Sequence, residues 1–170
     1  MRTLRNILFI SLALIITSVA YGEQKFGHIN SQELLSQMPE TDSAQKKLEK
    51  IAQDHESTLE ELTVEFNKKF EDYQQNVNTY SDLKRATKEA ELEESQKRIQ
   101  NFQQTAEQDL KRKRMELFQP IQEKALNAVN EVAEEHGFTY IFDTGMGAIV
   151  YTGDNAIDIL PMVKEKLGLE

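Results

Sequence analysis

The sequence predicts an α+β chain: a long antiparallel helical hairpin, forming a coiled-coil arm, carried on a small β-rich body. Three observations lead there. Apolar residues recur every three or four positions from Leu48 to Tyr80, and again with wider gaps from Leu83 to Val132; this is the period of a helical seam. The two stretches meet at Tyr80-Ser81-Asp82, so short a break that the helices must return antiparallel. The β-forming runs flank this hairpin, at Lys25–Asn30 and Gly137–Asp154.

The 170 residues include 29 acidic and 20 basic side chains, a net charge of −9. Phosphate binding needs a basic surface, so this balance argues against nucleic acid as a partner. An apolar content of 39% with no Trp suits much exposed helix better than a compact enzyme. Arg2 and Arg5 precede the apolar run Ile7–Ala20, and small residues follow up to Gly22. That is the layout of a secretory signal peptide over residues 1–22, cleaved near Gly22. The run is short for a membrane span of about 20 residues. Cleavage removes Arg2 and Arg5 and takes the charge from −9 to −11. The mature chain is expected in the periplasm; it has no Cys with which to use that oxidising compartment.

Along the mature chain, "KFGHIN" (Lys25–Asn30) reads as a strand. Ser31 is expected to N-cap a brief helix through Gln37. Met38-Pro39-Glu40 breaks it, and Pro39 suits the first position of the next helix, where its missing N–H is not needed. The seam of that helix includes Leu48, Ile51, His55, Leu59, Leu62, Phe66, Phe70, Tyr73, Val77 and Tyr80. Ser81 caps the second long helix. Its seam runs through Leu83, Ala86, Ala90, Ile99, Phe102, Ala106, Leu110, Leu117, Ile121, Ala125, Ala128 and Val132, and is thinly apolar from Lys88 to Arg98. Each helix extends about 40 residues from the turn, roughly 60 Å at 1.5 Å per residue.

Pro120 lies within this period. It lacks an N–H and its ring clashes with the Glu116 carbonyl, so the helix should either kink there or stop and restart. Pro120 therefore marks the border between an arm of residues 41–118 and a body of residues 23–40 and 119–170. Gly137 closes the helix, with Phe138 folding back on the last turn. "GFTYIFDTGMGAIVYTGD" (Gly137–Asp154) reads as a β-hairpin whose turn uses positive φ at Gly145 and Gly147. Asp158 caps a last helix with Ile159, Met162, Val163 and Leu167 on one face, ended by Gly168. Three short strands and a few helical turns make a core too small to stand well alone. With no Cys and no metal-ligand cluster, oligomerisation is the remaining way to complete it.

The ordered set of an export signal, "FGHIN", a long helical hairpin, "PIQEKALNAVNEVAEEHGFTYIFD" and "YTGDNAIDILPMVKEKLGL" resembles the Skp/OmpH family of periplasmic chaperones over essentially the whole mature chain. The most specific part runs from Pro120-Ile121 through Lys124, Ala128, Val132-Ala133 and Gly137 to Asp143. The resemblance implies a homotrimer whose sheet is completed by trimerisation. Its three arms would enclose a cavity that holds unfolded outer-membrane proteins, with neither ATP nor any cofactor. One departure concerns charge. The best-known members are strongly basic, whereas Thr41–Tyr80 carries five basic and nine acidic residues, and Ser81–Phe118 nine basic and eight acidic. That argues against lipid binding and against electrostatic steering of acidic clients. A coiled-coil scaffold with one dedicated folded partner is the competing reading, and it requires a continuous aliphatic stripe on the outer arm surface.

Candidate client-contacting residues are Phe66, Phe70, Tyr73, Tyr80 and Phe102, aromatic weight on a seam one side chain wide. Lys111-Arg112-Lys113-Arg114 is a candidate basic collar; its bland alternative is a solvated face with stems along apolar neighbours. Pro120 is the candidate arm pivot. Asp143-Thr144-Gly145 matches the aspartic-protease triplet, but such enzymes pair two aspartates between β-rich lobes, and this chain offers too little sheet; a turn is the expected role. His28, His55 and His136 form no ligand spacing, and His55 reads as a partly buried seam filler. No catalytic, cofactor or metal residues are assigned.

Overall fold

A computed structural model describes residues 24–169. The expected signal peptide lies outside the described residues. The elements run β1 (Phe26–Ile29), α1 (Ser31–Gln37), α2 (Pro39–Asn76), a 3₁₀ turn (Val77–Thr79), α3 (Asp82–Glu135), β2 (Tyr140–Asp143), β3 (Ile157–Asp158) and α4 (Leu160–Leu167). Pro39 opens α2 at its first turn, and the Ser81 side chain accepts from the Lys84 N–H at the start of α3. Both starts are those the sequence indicates. The cap of α1 differs by one residue. The Asn30 side chain accepts from the Glu33 N–H, which leaves the Ser31 hydroxyl free for another task.

The β-hairpin is not formed. β2 pairs with β1 in parallel, Phe26 opposite Tyr140 and Ile29 opposite Asp143, and β3 joins the other side of β1, giving the order β2-β1-β3. Both neighbours of β1 arrive after long connections, one of which is the entire α1-α2-α3 excursion. Residues 148–152, in the second half of the expected hairpin, make no strand pairing within the chain. Val150 and Tyr151 are 97% and 81% exposed. A parallel pair needs a crossover rather than a tight turn, and the long helices supply it.

The core lies where the sheet meets the stem of α3. Ile121, Ala125, Ala128 and Val132 recur on one face of α3 and pack with Ile29, Leu34, Met38, Ile159, Leu160 and Val163. Gly27 sits in the central strand, and an added Cβ would lie 2.8 Å from Ile141 Cδ1 and 3.1 Å from Ile159 Cγ2. No larger residue fits between those side chains without displacing them. Gly137, at φ +67°, ends α3 with the bonds Phe138 N to Ala133 O (2.9 Å) and Gly137 N to Glu134 O (3.3 Å), the paired pattern of a left-handed C-terminal cap. The N-cap of α4 is Ile159, not the expected Asp158, and it has no side-chain cap; Asp158 Oδ1 accepts from the Leu160 N–H at 2.9 Å from one position outside, and Gly168 closes the helix at φ +70°.

α3 is a single helix of 54 residues with Pro120 inside it. Of the two possibilities at that residue, a stop and restart is therefore excluded. The outer seam of α3 also differs from the pattern: Leu83 is 80% exposed, and Ala86 and Ala90 are exposed with it. Near the tip, half-buried Arg85, Lys88 and Leu92 take the inward positions. A phase read through a thinly apolar stretch carries little information, and the polar residues between decide the rotation.

Candidate functional site

The arm is α2 laid antiparallel on α3. At its root Ala44 and Leu48 are buried, with Leu117 and Phe118 partly covered against the core. Farther out the candidate aromatics are arranged at intervals. His55 Nε2 lies 3.1 Å from Asp109 Oδ2, and the His55 ring meets Phe102 edge to face at 6.0 Å. Phe66 and Phe70 stack on each other along α2, centroids 6.0 Å apart. Tyr73 donates to Glu89 at 2.5 Å, and Tyr80 donates to Asp72 at 3.2 Å beneath the Lys84 ammonium. Glu89 holds the Tyr73 phenol above its ordinary pKa, and burial followed by Asp72 does the same for Tyr80. Phe70 is exposed, while Phe66, Tyr73, Tyr80 and Phe102 are half-buried. These rings are thus partly spent on the arm's own seam and partly open to water.

Within the basic run, Arg112 bridges Asp109 and Glu116, and Lys113 reaches Glu116 at 2.9 Å. The His55 contact, joined by Arg112, keeps the Asp109 carboxyl below the usual aspartate range despite some desolvation. Lys113 and Arg112 likewise keep Glu116 low. Among the described residues, Lys111 and Arg114 make no ion pair, so at most half of the four charges point outward unneutralised. Met115 beside them is exposed.

Asp143 is an anchor. Its carboxylate accepts from Ser31 N at 3.1 Å, Ser31 Oγ at 2.5 Å and Gly145 N at 2.9 Å, pinning the end of β2 to the start of α1. Burial raises its pKa, but the bonds from the Ser31 hydroxyl and the Gly145 and Ser31 N–H groups outweigh that and leave it lowered. A protease dyad needs a second carboxylate to share the proton, whereas the hydrogen-bond partners of Asp143 among the described residues are Ser31 and Gly145. Gly147 has the expected positive φ, +71°, whereas Gly145 does not. Gly145 is required by space instead, because a Cβ would fall 2.7 Å from Asn30 Oδ1 and 3.2 Å from the Gln32 amide nitrogen.

The sequence did not reveal two features of the body. Phe26, Tyr140 and Phe142 form an exposed aromatic cluster on the outer sheet face, centroids 6.1–6.3 Å apart. An open, mainly apolar groove of about 630 Å³ runs beside β2, walled by Leu34, Leu35, Leu126, Val129 and Phe138. Strand alternation at Tyr140–Phe142 could have indicated the first. The groove depends on how α1, α3 and β2 meet.

Residues 25–167 match the family described as outer membrane protein (OmpH-like). The chain belongs to the OmpH-like family. Its OmpH-like sequence is 25% identical over 154 residues to the chaperone protein Skp of Photorhabdus luminescens, covering 90% of this chain and 93% of that one. The Skp of Photorhabdus laumondii subsp. laumondii matches to the same extent. Among solved structures, an OmpH-like outer membrane chaperone of Caulobacter crescentus CB15 superposes with a TM-score of 0.73 at 12% identity, covering 85% of this chain and 83% of the other. The OmpH-like fold therefore accounts for the long helices and the three-stranded sheet together. No helix among the described residues is long and apolar enough to cross a membrane.

Proposed function

We propose that the chain is a periplasmic, ATP-independent holdase chaperone, exported with cleavage of its leader and devoid of enzymatic activity. Three copies form a homotrimer whose arms surround a cavity in which unfolded outer-membrane proteins are kept from aggregating. The observation that carries this reading is a body incomplete by itself. The aromatic cluster of Phe26, Tyr140 and Phe142 is uncovered, β2 has a free edge, and the strand-forming residues 148–152 have no pairing partner. An open edge and an unpaired strand in one chain complement each other in a neighbour. The threefold count rests on the family resemblance.

Client capture uses the half-covered rings Phe66, Phe70, Tyr73, Tyr80 and Phe102, each contact weak and the sum shared along the arm. Exposed apolar side chains on the arm are scattered: Val64, Phe70, Leu83 and Met115. They form no continuous aliphatic stripe, which favours a shape-tolerant holdase over a dedicated scaffold. The acidic balance disfavours anionic lipid, and Lys111 and Arg114 are left as the outward part of the basic collar.

The deciding experiment is light scattering as a urea-unfolded β-barrel outer-membrane protein is diluted with and without residues 23–170. Suppression should saturate near one trimer per client. Undiminished scattering at excess chaperone would overturn the holdase reading in favour of the scaffold.

Pro120 serves as the arm pivot in this reading. It withholds one backbone hydrogen bond from α3 at the point where buried Ile121 begins the core. Pro120→Ala should narrow the distance distribution between spin labels at the arm tip and on the body. An unchanged distribution would remove the pivot.

A further inference from the structure

Going outward from the body, buried apolar side chains stop at Leu48 on α2 and at Ile121 on α3. Farther out, the one side chain buried to that degree among the described residues is polar: Ser95, 7% exposed. Lys69 Nζ reaches Ser95 Oγ at 3.0 Å and Glu65 Oε1 at 2.7 Å, and the other Glu65 oxygen takes Arg98. One carboxylate on α2 thus holds a cation from each helix. Glu91 and Glu94 line the same cavity of about 80 Å³, and Glu91 is engaged by Lys88 at 2.8 Å. At this level a serine replaces the aliphatic residue that would otherwise fill the seam.

We propose that Glu65, Lys69, Ser95 and Arg98 form an ionic latch about two-thirds of the way out along the arm, dividing it into a root where buried Ala44, Leu48 and Ile121 back the cross-helix pairs Lys124–Glu40 and His55–Asp109, and an outer part that opens independently. The physical basis is a difference in what each part depends on. Screening leaves burial of Ala44, Leu48 and Ile121 untouched, whereas part-exposed ion pairs weaken as the Debye length falls from about 10 Å at 0.1 M salt to about 3 Å at 1 M. Lys69 lies between Phe66 and Phe70 in sequence, so release of the latch also frees the stacked rings. The aperture of the outer arm then responds to ionic strength while the body stays closed.

Amide hydrogen exchange on residues 23–170 tests this. In Glu65→Gln, exchange from Phe66 to Lys97 should speed about fivefold, the size of a lost charge network. The segments Asp42–Asp54 and Thr105–Phe118 should be unchanged. Raising salt to about 0.5 M should give the wild type the same outer-arm pattern and add little to the variant. Lys69→Met keeps the aliphatic stem over Ser95 and should reproduce Glu65→Gln. Acceleration spread evenly along the arm, no acceleration, or a silent Lys69→Met each overturns the latch, whatever the client assay gives.

Discussion

Leu34→Ala should lower the stability of the body by about 3 kcal/mol, the middle of the range for a buried leucine cut back to alanine. Leu34 is 1% exposed and packs in the core formed by α1, the α3 stem and α4, while its flank borders the groove beside β2. The core has few members to share the loss. For a chain of this length the change corresponds to a melting temperature lower by roughly 10 °C. Thermal unfolding followed by circular dichroism at one fixed protein concentration measures it, so that self-association cannot alter the comparison. Leu83→Ala provides the comparison. That leucine sits at the arm tip, 80% exposed, and its truncation should stay within about 0.5 kcal/mol. Equal effects from the two leucines would mean that stability does not reside in this core.

Asp143→Asn should cost about 1–2 kcal/mol, through the loss of charge-assisted bonds from Ser31 and Gly145. The asparagine matches the carboxyl in shape, but its amide nitrogen cannot accept. The dependence on pH tests whether the carboxyl acts as an ionised anchor. The folded pKa of Asp143 is lowered, burial notwithstanding, by the Ser31 hydroxyl and the two N–H groups. A lowered pKa contributes stability that is complete above the ordinary aspartate value of about 3.9. That contribution is lost as pH falls through the lower folded value. The difference between wild type and Asp143→Asn should therefore be flat near neutrality and shrink in strong acid. Denaturant titrations at several pH values would show it. A difference that grows on acidification from neutrality would mark a carboxyl with a raised pKa and sink the anchor assignment.

The two residues illustrate what a linear reading can reach. Local signals acted through neighbours a few residues away, and these were legible: Pro39 at a helix start, Ser81 as a cap, Gly137 and Gly168 as left-handed stops, and the three-and-four spacing of the arm. Each involves the chain's own backbone within about one turn. The hairpin at Gly137–Asp154 failed for the complementary reason. Its alternation and glycines fit a tight antiparallel turn, yet β1 offered Tyr140–Asp143 a parallel partner more than a hundred residues upstream. Strand propensity states that a segment will pair, not with what. The Leu83–Ala90 phase failed because a helix with so few apolar residues has no strongly preferred face, and Lys69, Glu65 and Arg98 selected Ser95 as the inward side chain.

By itself the sequence determined the class of molecule: a long helical hairpin on a small body of short strands and helices, in a chain whose ordered segments resemble a chaperone family. Periodicity and capping are local, so they survive being read in one dimension. The tertiary structure decided which strands share a sheet, that Asp143 pins β2 to α1, that the aromatic cluster and the groove stand open, and which polar groups meet across the outer arm. Those depend on contacts between residues distant along the chain, where the free energy comes from burial and from paired charges that no window of sequence contains.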